Sequence, residues 1–188
     1  MEAGPHPVTT MNVAAKWQQL GVAAYNIVLT FVPSHTVRLG ALRLWGASIG
    51  EGSTVSRGTT VFDIGRIVIG RDCSIGFRCL LDARGTITLG DNVVLASDTQ
   101  IITGTHIIDS DTFDAEFSPV VIDSFAWVAS RCTILPGVSI GRGAVVGACS
   151  LVRSDVAAMD VAAGVPATKR GERSSSLAYS AKFRRLFY

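Results

Sequence analysis

The middle of the chain repeats an aliphatic residue every six positions. Fifteen positions follow this spacing in blocks, and every one is Ile, Leu or Val: Ile49, Val55, Val61, Ile69, Ile75, Leu81, Leu89, Leu95, Ile101, Ile122, Val128, Ile134, Ile140, Val146 and Val152. Neither the period of an α-helix nor the simple alternation of a β-hairpin fits a spacing of six. The pattern instead predicts a short strand and a turn, repeated, with one aliphatic side chain pointing inward in each unit.

Three such units would complete one coil of a parallel β-solenoid, with successive coils stacked about 4.8 Å apart. The register slips by two residues between Val61 and Ile69 and again between Leu81 and Leu89. These slips predict two corners with a two-residue insertion, and we expect five coils in total. Glycine follows six of the inward positions and is expected to supply permissive backbone at the turns: Gly50, Gly70, Gly76, Gly90, Gly141 and Gly147.

Both ends of the repeat differ from the coils, and a solenoid needs its open ends covered. Six apolar residues before the repeat follow helical spacing: Val13, Trp17, Leu20, Ala24, Ile27 and Phe31. Ser34 could cap a second helix that ends near Trp45. We expect the chain to divide into a helical cap, a solenoid with one inserted loop, and a basic tail that ends in a short helix: residues 1–45, 46–168 with the loop at 103–119, and 169–188.

Composition and charge narrow the classes of partner. Hydrophobic residues make up 48% of the 188 positions and charged residues 17%, which argues against a disordered chain. The net charge of +2 is uneven, because residues 1–168 carry −3 and residues 169–188 carry +5. A nucleic-acid-binding protein would carry its basic groups on the folded body, so no nucleic-acid partner is expected. Both terminal segments are expected to pack on the ends of the solenoid. The alternative is that the apolar 20–32 segment and the basic tail contact the inner membrane face.

The cysteines predict an inert set of thiols. Cys73, Cys79 and Cys132 each lie two residues before an inward aliphatic position, where small residues recur, and Cys149 lies in a turn. No Cys-x-x-Cys pair and no zinc-ligand spacing is present. We therefore expect buried, reduced thiols in a cytoplasmic protein, and no metal site.

One interruption of the repeat contains the candidate chemistry. Between Ile101 and Ile122 the spacing of six fails, and residues 103–119 form a loop with four acidic residues and one histidine, His106. The other two histidines, His6 and His35, precede the coils. Loops that leave a regular scaffold are commonly functional. His106 is therefore the one candidate for a general base within the repeat region.

Several motifs resemble the hexapeptide-repeat acyltransferases, and most closely the branch that acetylates exopolysaccharides and colanic-acid-type glycans. The resemblance covers residues 36–170, and its motifs are the lead-in at 38–50, the loop triplet GTH at 104–106, PVVI at 119–122, AWVA at 126–129, PGVSIG at 136–141, VGACS at 146–150 and AAGVPA at 162–167. It implies a left-handed parallel β-helix, which crossover statistics alone would not favour. It also implies a homotrimer with active sites at the subunit seams.

The activity that this resemblance implies is transfer of an acetyl group from acetyl-CoA to a hydroxyl of a glycan or small sugar, with His106 as the general base. Two features depart from the family pattern. A family asparagine is replaced in the stretch at residues 76–78, and Ile107 follows the histidine where the branch often has Asp. Asp109 and Asp111 are both candidates for the group that orients His106, and Asp109 is carried forward as a catalytic residue.

For the donor, the resemblance implies that pantetheine runs along a coil edge past small residues. The matching positions are Ala129, Ser130 and Ala148, with Trp127 beside the entry. Basic residues that could contact the 3′-phosphate of CoA match less closely, and they are Arg153, Lys169 and Arg170.

Three functions from other classes compete with acetyl transfer. A zinc-bearing β-helix of the carbonic anhydrase kind needs three converging imidazoles, whereas His106 is the single histidine between residues 46 and 168. A non-catalytic prism could act as a scaffold, and a transferase could use a longer acyl chain. Turnover assays with a panel of donors and glycans would separate these two alternatives from acetyl transfer.

Overall fold

The computed structural model describes residues 13–183. Two helices come first, α1 (Val13–Ile27) and α2 (His35–Leu44), with a 3-10 turn at Leu29–Phe31 between them. Ser34 immediately precedes α2, as the sequence predicts, although its side chain makes no capping hydrogen bond. The remainder of the described chain consists of short strands and turns, with one further 3-10 turn at Ile64–Arg66.

Five complete coils of three strands follow the helices. Coil 1 contains β1 (Ser48–Ile49), β2 (Thr54–Val55) and β3 (Thr60–Phe62), and coil 2 contains β4 (Ile67–Ile69), β5 (Ser74–Ile75) and β6 (Leu80–Asp82). Coil 3 contains β7 (Ile87–Leu89), β8 (Val94–Leu95) and β9 (Gln100–Ile102), and is followed by an inserted hairpin of β10 (Gly104–His106) and β11 (Ala115–Phe117). Coil 4 contains β12 (Val120–Ile122), β13 (Trp127–Val128) and β14 (Thr133–Ile134), and coil 5 contains β15 (Ser139–Ile140), β16 (Val145–Val146) and β17 (Leu151–Val152).

The strands stack into three parallel sheets that form the sides of a prism. The first sheet contains β1, β4, β7, β12 and β15, the second continues from β2 through β5, β8, β13 and β16, and the third contains β3, β6, β9, β14 and β17. Equivalent residues of successive coils are paired, as in Ile49 with Ile69, Ile69 with Leu89, and Leu89 with Ile122. All fifteen aliphatic positions of the six-residue repeat are buried, so the predicted inward row is confirmed.

A sixth, incomplete turn extends the solenoid beyond the five coils that the sequence predicts. Val156 forms a parallel bridge with Ile140, and β18 (Asp160–Gly164) pairs with β16 before the chain turns back as the antiparallel β19 (Ala167–Glu172). The inward place in β18 is taken by Ala162, which is buried. Val156, which is also buried, follows Val152 by four positions and not six, and alanine is not one of the three large aliphatic residues, so this turn does not show in the repeat.

The glycines that follow inward residues have a different purpose from the predicted one. None of the six has a positive φ, and the left-handed corner positions lie two residues further on, at Gly52 and Asp72 among others. A Cβ at Gly50 would lie 2.5 Å from the backbone of Gly70 in the next coil, and one at Gly141 would lie 2.5 Å from the nitrogen of Ala158. Glycine is therefore required there by the close approach of successive coils, not by backbone conformation.

The helices cover the open edge of coil 1 by replacing the missing strand partners. The side chain of Asn26 accepts a hydrogen bond from the Val61 N–H and donates one to the Val61 carbonyl, both at 2.9 Å. Arg38, which is buried, donates from Nε to the Val55 carbonyl at 2.9 Å. Side chains of α1 and α2 thus satisfy backbone groups that a preceding coil would otherwise pair.

The described part of the C-terminal tail differs from the predicted helix. Residues 173–183, called here the C-terminal strap, contain no helix and run back along the corners between the first and second sheets. Arg173 donates to the carbonyls of Phe125 and Gly143, and Ala181 donates its N–H to Oδ1 of Asn92. These coil groups bind an extended backbone, so the strap gains partners that a helix would not reach. The predicted terminal residues Leu186, Phe187 and Tyr188 lie outside the described residues.

Thiol labelling tests the inward position of the cysteines. Cys73, Cys79 and Cys132 are buried and Cys149 is exposed, and burial raises the pKa of Cys79 to about 11. Since the thiolate is the reactive form, we expect native protein at pH 8 to react with one equivalent of iodoacetamide, at Cys149, and unfolded protein with four. Peptide mass spectrometry identifies the site, and Cys149→Ser should leave the native protein unlabelled. Rapid labelling of Cys79 in native protein would contradict the assigned register.

Candidate functional site

The inserted hairpin leaves the prism at the corner between the third and first sheets. β10 and β11 pair in antiparallel fashion, with Gly104 opposite Phe117 and His106 opposite Ala115. Coils 3 and 4 remain paired beneath it, since Leu89 aligns with Ile122 across the insertion. The hairpin and its tip, residues 103–119, are called here the inserted arm.

Within the arm, His106 is held by the backbone and not by a carboxylate. Its Nδ1 lies 2.9 Å from the carbonyl oxygen of Phe113, and its ring stacks on the Phe113 ring with centroids 4.1 Å apart and planes inclined by 8°. A carbonyl can only accept, so Nδ1 carries the hydrogen. The neutral imidazole then has its lone pair on Nε2, which has no hydrogen-bond partner among residues 13–183.

The tip of the arm is closed by one carboxylate. Asp114 Oδ2 accepts hydrogen bonds from the hydroxyls of Ser110 and Thr112, and these donors lower the pKa of Asp114. Its backbone carbonyl also accepts the Ile107 N–H at 2.9 Å. The turn that presents the Phe113 carbonyl to His106 is therefore fixed by Asp114.

The predicted orienting role of Asp109 is not seen. Asp109 is exposed in the tip and makes no hydrogen bond to His106, whose Nδ1 is occupied by the Phe113 carbonyl. The sequence could not identify that partner, because every residue carries a carbonyl and only the turn geometry selects one. Whether Asp109 has a catalytic role stays a prediction.

The root of the arm rests on an ion pair that the sequence analysis missed. Arg84 donates from Nε and Nη2 to the two carboxylate oxygens of Asp82, both at 2.8 Å, and this contact raises the pKa of Arg84. The Asp82 side chain is 3% exposed. The guanidinium lies over the rings of Phe62 and Phe117, 5.6 and 5.2 Å from their centroids. The one sequence signal for this pair is an Asp directly after the inward Leu81, at a corner with a two-residue insertion.

Arg84 also contributes to the surroundings of His106. A small cleft is lined by Arg84, Thr105, His106 and Phe117, together with two small residues of the arm. A Cβ at Gly104 would lie 3.1 Å from Nη2 of Arg84 and 2.9 Å from the Phe117 ring. The arm root therefore packs tightly on the guanidinium, and the cleft beside His106 has a fixed positive group at its base.

The small residues predicted to line a pantetheine track come together at a different corner, between the second and third sheets. Ala129 and Ser130 follow β13 in coil 4, and Ala148 lies directly above them in coil 5, where the Cys149 N–H donates to the Ser130 carbonyl at 3.0 Å. The Trp127 side chain is 47% exposed on the adjacent sheet. Within one chain, this predicted track and the inserted arm lie on separate corners of the prism.

The basic residues predicted near the 3′-phosphate lie on two elements. Arg153 is exposed after β17, at the end of the third sheet, whereas Lys169 and Arg170 are neighbours on β19. Lys169 forms ion pairs with Asp160 at 2.7 Å and Glu172 at 2.8 Å. Contact of these three cations with CoA stays a prediction. Across residues 13–183, no cluster of three His, Cys, Asp or Glu side chains could hold a metal ion.

Sequence similarity to known proteins identifies the family of this chain. A family model described as the hexapeptide repeat of succinyl-transferase matches residues 66–97 and 130–152. A protein named as a colanic acid biosynthesis acetyltransferase, WcaF, of Escherichia coli (strain K12) is 33% identical over 157 residues, covering 82% of this chain and 86% of that protein. The chain belongs to the hexapeptide-repeat acetyltransferases.

Further relatives of this family agree in fold. The galactoside O-acetyltransferase of Escherichia coli (strain K12) is 35% identical over 124 residues, which are 64% of this chain and 61% of that protein. A galactoside acetyltransferase structure in complex with coenzyme A has a TM-score of 0.75 at 26% identity, covering 87% of this chain and 84% of that chain. The structure of a hexapeptide-repeat acetyltransferase of Vibrio cholerae superposes with a TM-score of 0.78 at 23% identity, covering 93% of this chain and 94% of that chain.

Paired substitutions in the arm test how His106 is positioned. Asp114→Ala removes the acceptor of two hydroxyls at the tip, so we expect acetyltransferase kcat to fall by about tenfold as the Phe113 carbonyl shifts. Asp109→Ala is the matched control, because that exposed carboxylate makes no side-chain hydrogen bond or ion pair within residues 13–183, and its kcat should stay near the wild-type value. A large loss in Asp109→Ala with none in Asp114→Ala would assign the positioning role to Asp109 instead.

Proposed function

We propose that the chain transfers an acetyl group from acetyl-CoA to a hydroxyl of a sugar, within a glycan, a glycolipid precursor or a small saccharide. The observation that supports this most is the state of His106, whose Nδ1–H is held by the Phe113 carbonyl while Nε2 stays available. The relatives named for colanic acid biosynthesis and for galactoside O-acetylation support a carbohydrate acceptor. The coenzyme A complex of a 26%-identical relative supports the donor.

The proposed reaction uses His106 as a general base. Nε2 takes the proton of the sugar hydroxyl while that oxygen attacks the thioester carbonyl carbon of acetyl-CoA. The resulting tetrahedral oxyanion collapses, the C–S bond breaks, and the coenzyme A thiolate leaves and recovers a proton from the imidazolium. The Phe113 carbonyl stabilises the imidazolium formed in the transition state, because its oxygen accepts from Nδ1–H throughout.

For the donor site, we propose that pantetheine passes Ala129, Ser130 and Ala148, with Trp127 at the entry. Two alanines and a serine at one corner leave room for an extended chain close to the backbone. Arg153, Lys169 and Arg170 remain the proposed contacts of the 3′-phosphate, and Lys169 would first have to leave its two carboxylate partners.

We further propose a homotrimer in which the arm of one copy meets the small-residue corner of the next. Support comes from the separation of the two half-sites within one chain, since the arm leaves one corner and the track follows another. Closed cyclic assembly places identical seams between neighbours. Each seam would then bring one His106 to one donor track.

Substitution of His106 tests the base. His106→Ala should lower kcat by about two to four orders of magnitude with acetyl-CoA and a glycan acceptor panel. His106→Asn keeps an amide donor for the Phe113 carbonyl but has no base, so it should be equally inactive. Thermal unfolding should hardly change, because the arm lies outside the core. His35→Ala in α2 serves as the control and should retain activity; comparable turnover in either His106 variant would refute the assignment.

Mixing two inactive variants tests the shared site. His106→Ala removes the base, and Ala148→Trp should obstruct the donor track at an exposed position. If each site combines the arm of one copy with the track of its neighbour, refolding an equal mixture should restore about a quarter of wild-type activity, because a quarter of seams are intact. No recovery in mixed trimers confirmed by native mass spectrometry would place both groups in one chain's site.

A further inference from the structure

The outer side of the N-terminal cap presents an exposed apolar stripe. Five large side chains that follow helical spacing through α1 and the turn after it are 47–84% exposed. These residues are called here the outer stripe: Val13 at 84%, Trp17 at 47%, Leu20 at 56%, Ile27 at 73% and Phe31 at 61%. An exposed row of this kind indicates a contact surface.

The opposite side of α1 is the one that packs on the solenoid. Tyr25 is fully buried, Gln18 donates to the Trp45 carbonyl at 2.8 Å, and Asn26 is bonded to Val61 of coil 1. Gly21 lies against the Trp45 ring, because a Cβ there would be 2.3 Å from it. The coil contacts thus leave the outer stripe on the other side of α1, where Trp17 also borders the Trp45 ring, with the two centroids 5.9 Å apart.

The segment that carries the stripe has charges of one sign. Residues 13–50 contain no Asp or Glu, and their cations are Lys16, Arg38 and Arg43. Arg38 is buried under the cap, whereas Lys16 and Arg43 are exposed. The acidic residues that share a pocket with these helices, Glu51 and Asp63, belong to coil 1. The helical segment itself therefore combines apolar side chains with positive charge.

The C-terminal strap adds to the same end of the prism. Ser180 donates to Asp72, Ala181 to Asn92, and Lys182 reaches Gly52 in coil 1. Lys182 and Phe183 line a groove of about 650 Å³ with α2 and coil 1, in which Glu51 is the acidic residue. The strap thus brings one cation, Lys182, and one aromatic side chain, Phe183, to the end of the prism that the helices cover.

We propose that this end of the prism docks on the surface of an anionic lipid bilayer. Amphipathic helices with basic flanks bind there by inserting apolar side chains at the level of the headgroups, while lysine and arginine contact the anionic lipids. A second copy of the chain fits less well, because the segment that carries the stripe offers Lys16 no acidic residue to pair with on a symmetric partner. No helix among residues 13–183 is long and apolar enough to cross a membrane, so docking is at the surface.

Vesicle flotation with the full-length protein tests the proposal and needs neither donor nor acceptor. The protein should float with vesicles of phosphatidylglycerol and phosphatidylcholine in equal parts, less with phosphatidylcholine alone, and less at high salt. The double variant Leu20→Ser/Ile27→Ser should weaken the vesicle partition by about tenfold or more. Val165→Ser is the matched control, since Val165 is 72% exposed at the opposite end of the prism, and its binding should be unchanged.

Fluorescence provides a second measurement that does not depend on a loss of binding. Insertion of Trp17 should shift its emission to the blue with anionic vesicles, and Trp17→Phe should abolish that shift while the variant still floats. Absence of wild-type binding, or equal binding by the double variant, would overturn the proposal. A lower sedimentation mass of the double variant would also overturn it, because the stripe would then be an interface between copies. Acetyl transfer to a soluble acceptor is measured separately and bears on the proposed reaction alone.

Discussion

Each coil of this protein depends on the coil beside it for its backbone hydrogen bonds. Three N–H groups show this, each donating to a carbonyl of the next coil at 2.8 Å: Gly50 to Ile69, Gly70 to Leu89, and Gly90 to Ile122. A single coil cannot satisfy these groups internally, so the structure must either continue or be capped. The helices at one end and the β18–β19 hairpin at the other meet that requirement. The close spacing of coils also dictates glycine wherever a Cβ would strike the next backbone.

The same constraint explains where the chain can vary. Backbone pairing between coils 3 and 4 is maintained although the inserted arm separates them in sequence, because the arm leaves and re-enters at a corner. The arm therefore lies outside the paired strands, and the three ladders continue beneath it. The solenoid supports this element at its root but does not determine the conformation of its tip. The arm is held by Asp114 at its tip and by the Arg84 guanidinium of coil 2 at its root.

Much of the fold could be predicted from the sequence, because the solenoid repeats one inward residue in a constant spacing. Val61, Leu81 and Ile101 each report the same environment, so their pattern is visible without coordinates. The arm is visible for the converse reason, since it breaks the spacing. Ala162 is missed because a small residue can also fill the inward place. The conformation of a terminal segment depends on the groups it packs against, which the repeat does not reveal. The strap is extended because coil groups such as Asn92 bind its backbone.

The site was harder to predict than the fold. His106 is identifiable by residue type, whereas its partner is a backbone carbonyl chosen by the conformation of the tip. The Asp82–Arg84 pair lies two residues apart in sequence, and nothing in that spacing distinguishes it from two solvated charges. Its importance comes from the burial of Asp82 and from Phe117, which arrives from the far strand of the arm. Contacts between elements distant in sequence are the part that a repeat pattern does not encode.

The C-terminal strap has a consequence for how the solenoid comes apart. A stack held only by contacts between neighbouring coils can fray from either end, one coil at a time. Here Arg173 is bonded at coils 4 and 5, Asn92 of coil 3 holds Ala181, and Asp72 of coil 2 holds Ser180. One extended segment is therefore attached to the terminal and central coils together. Loss of an end coil requires release of the strap from its neighbours as well, so the ladder opens as a larger cooperative unit than its nearest-neighbour contacts would give.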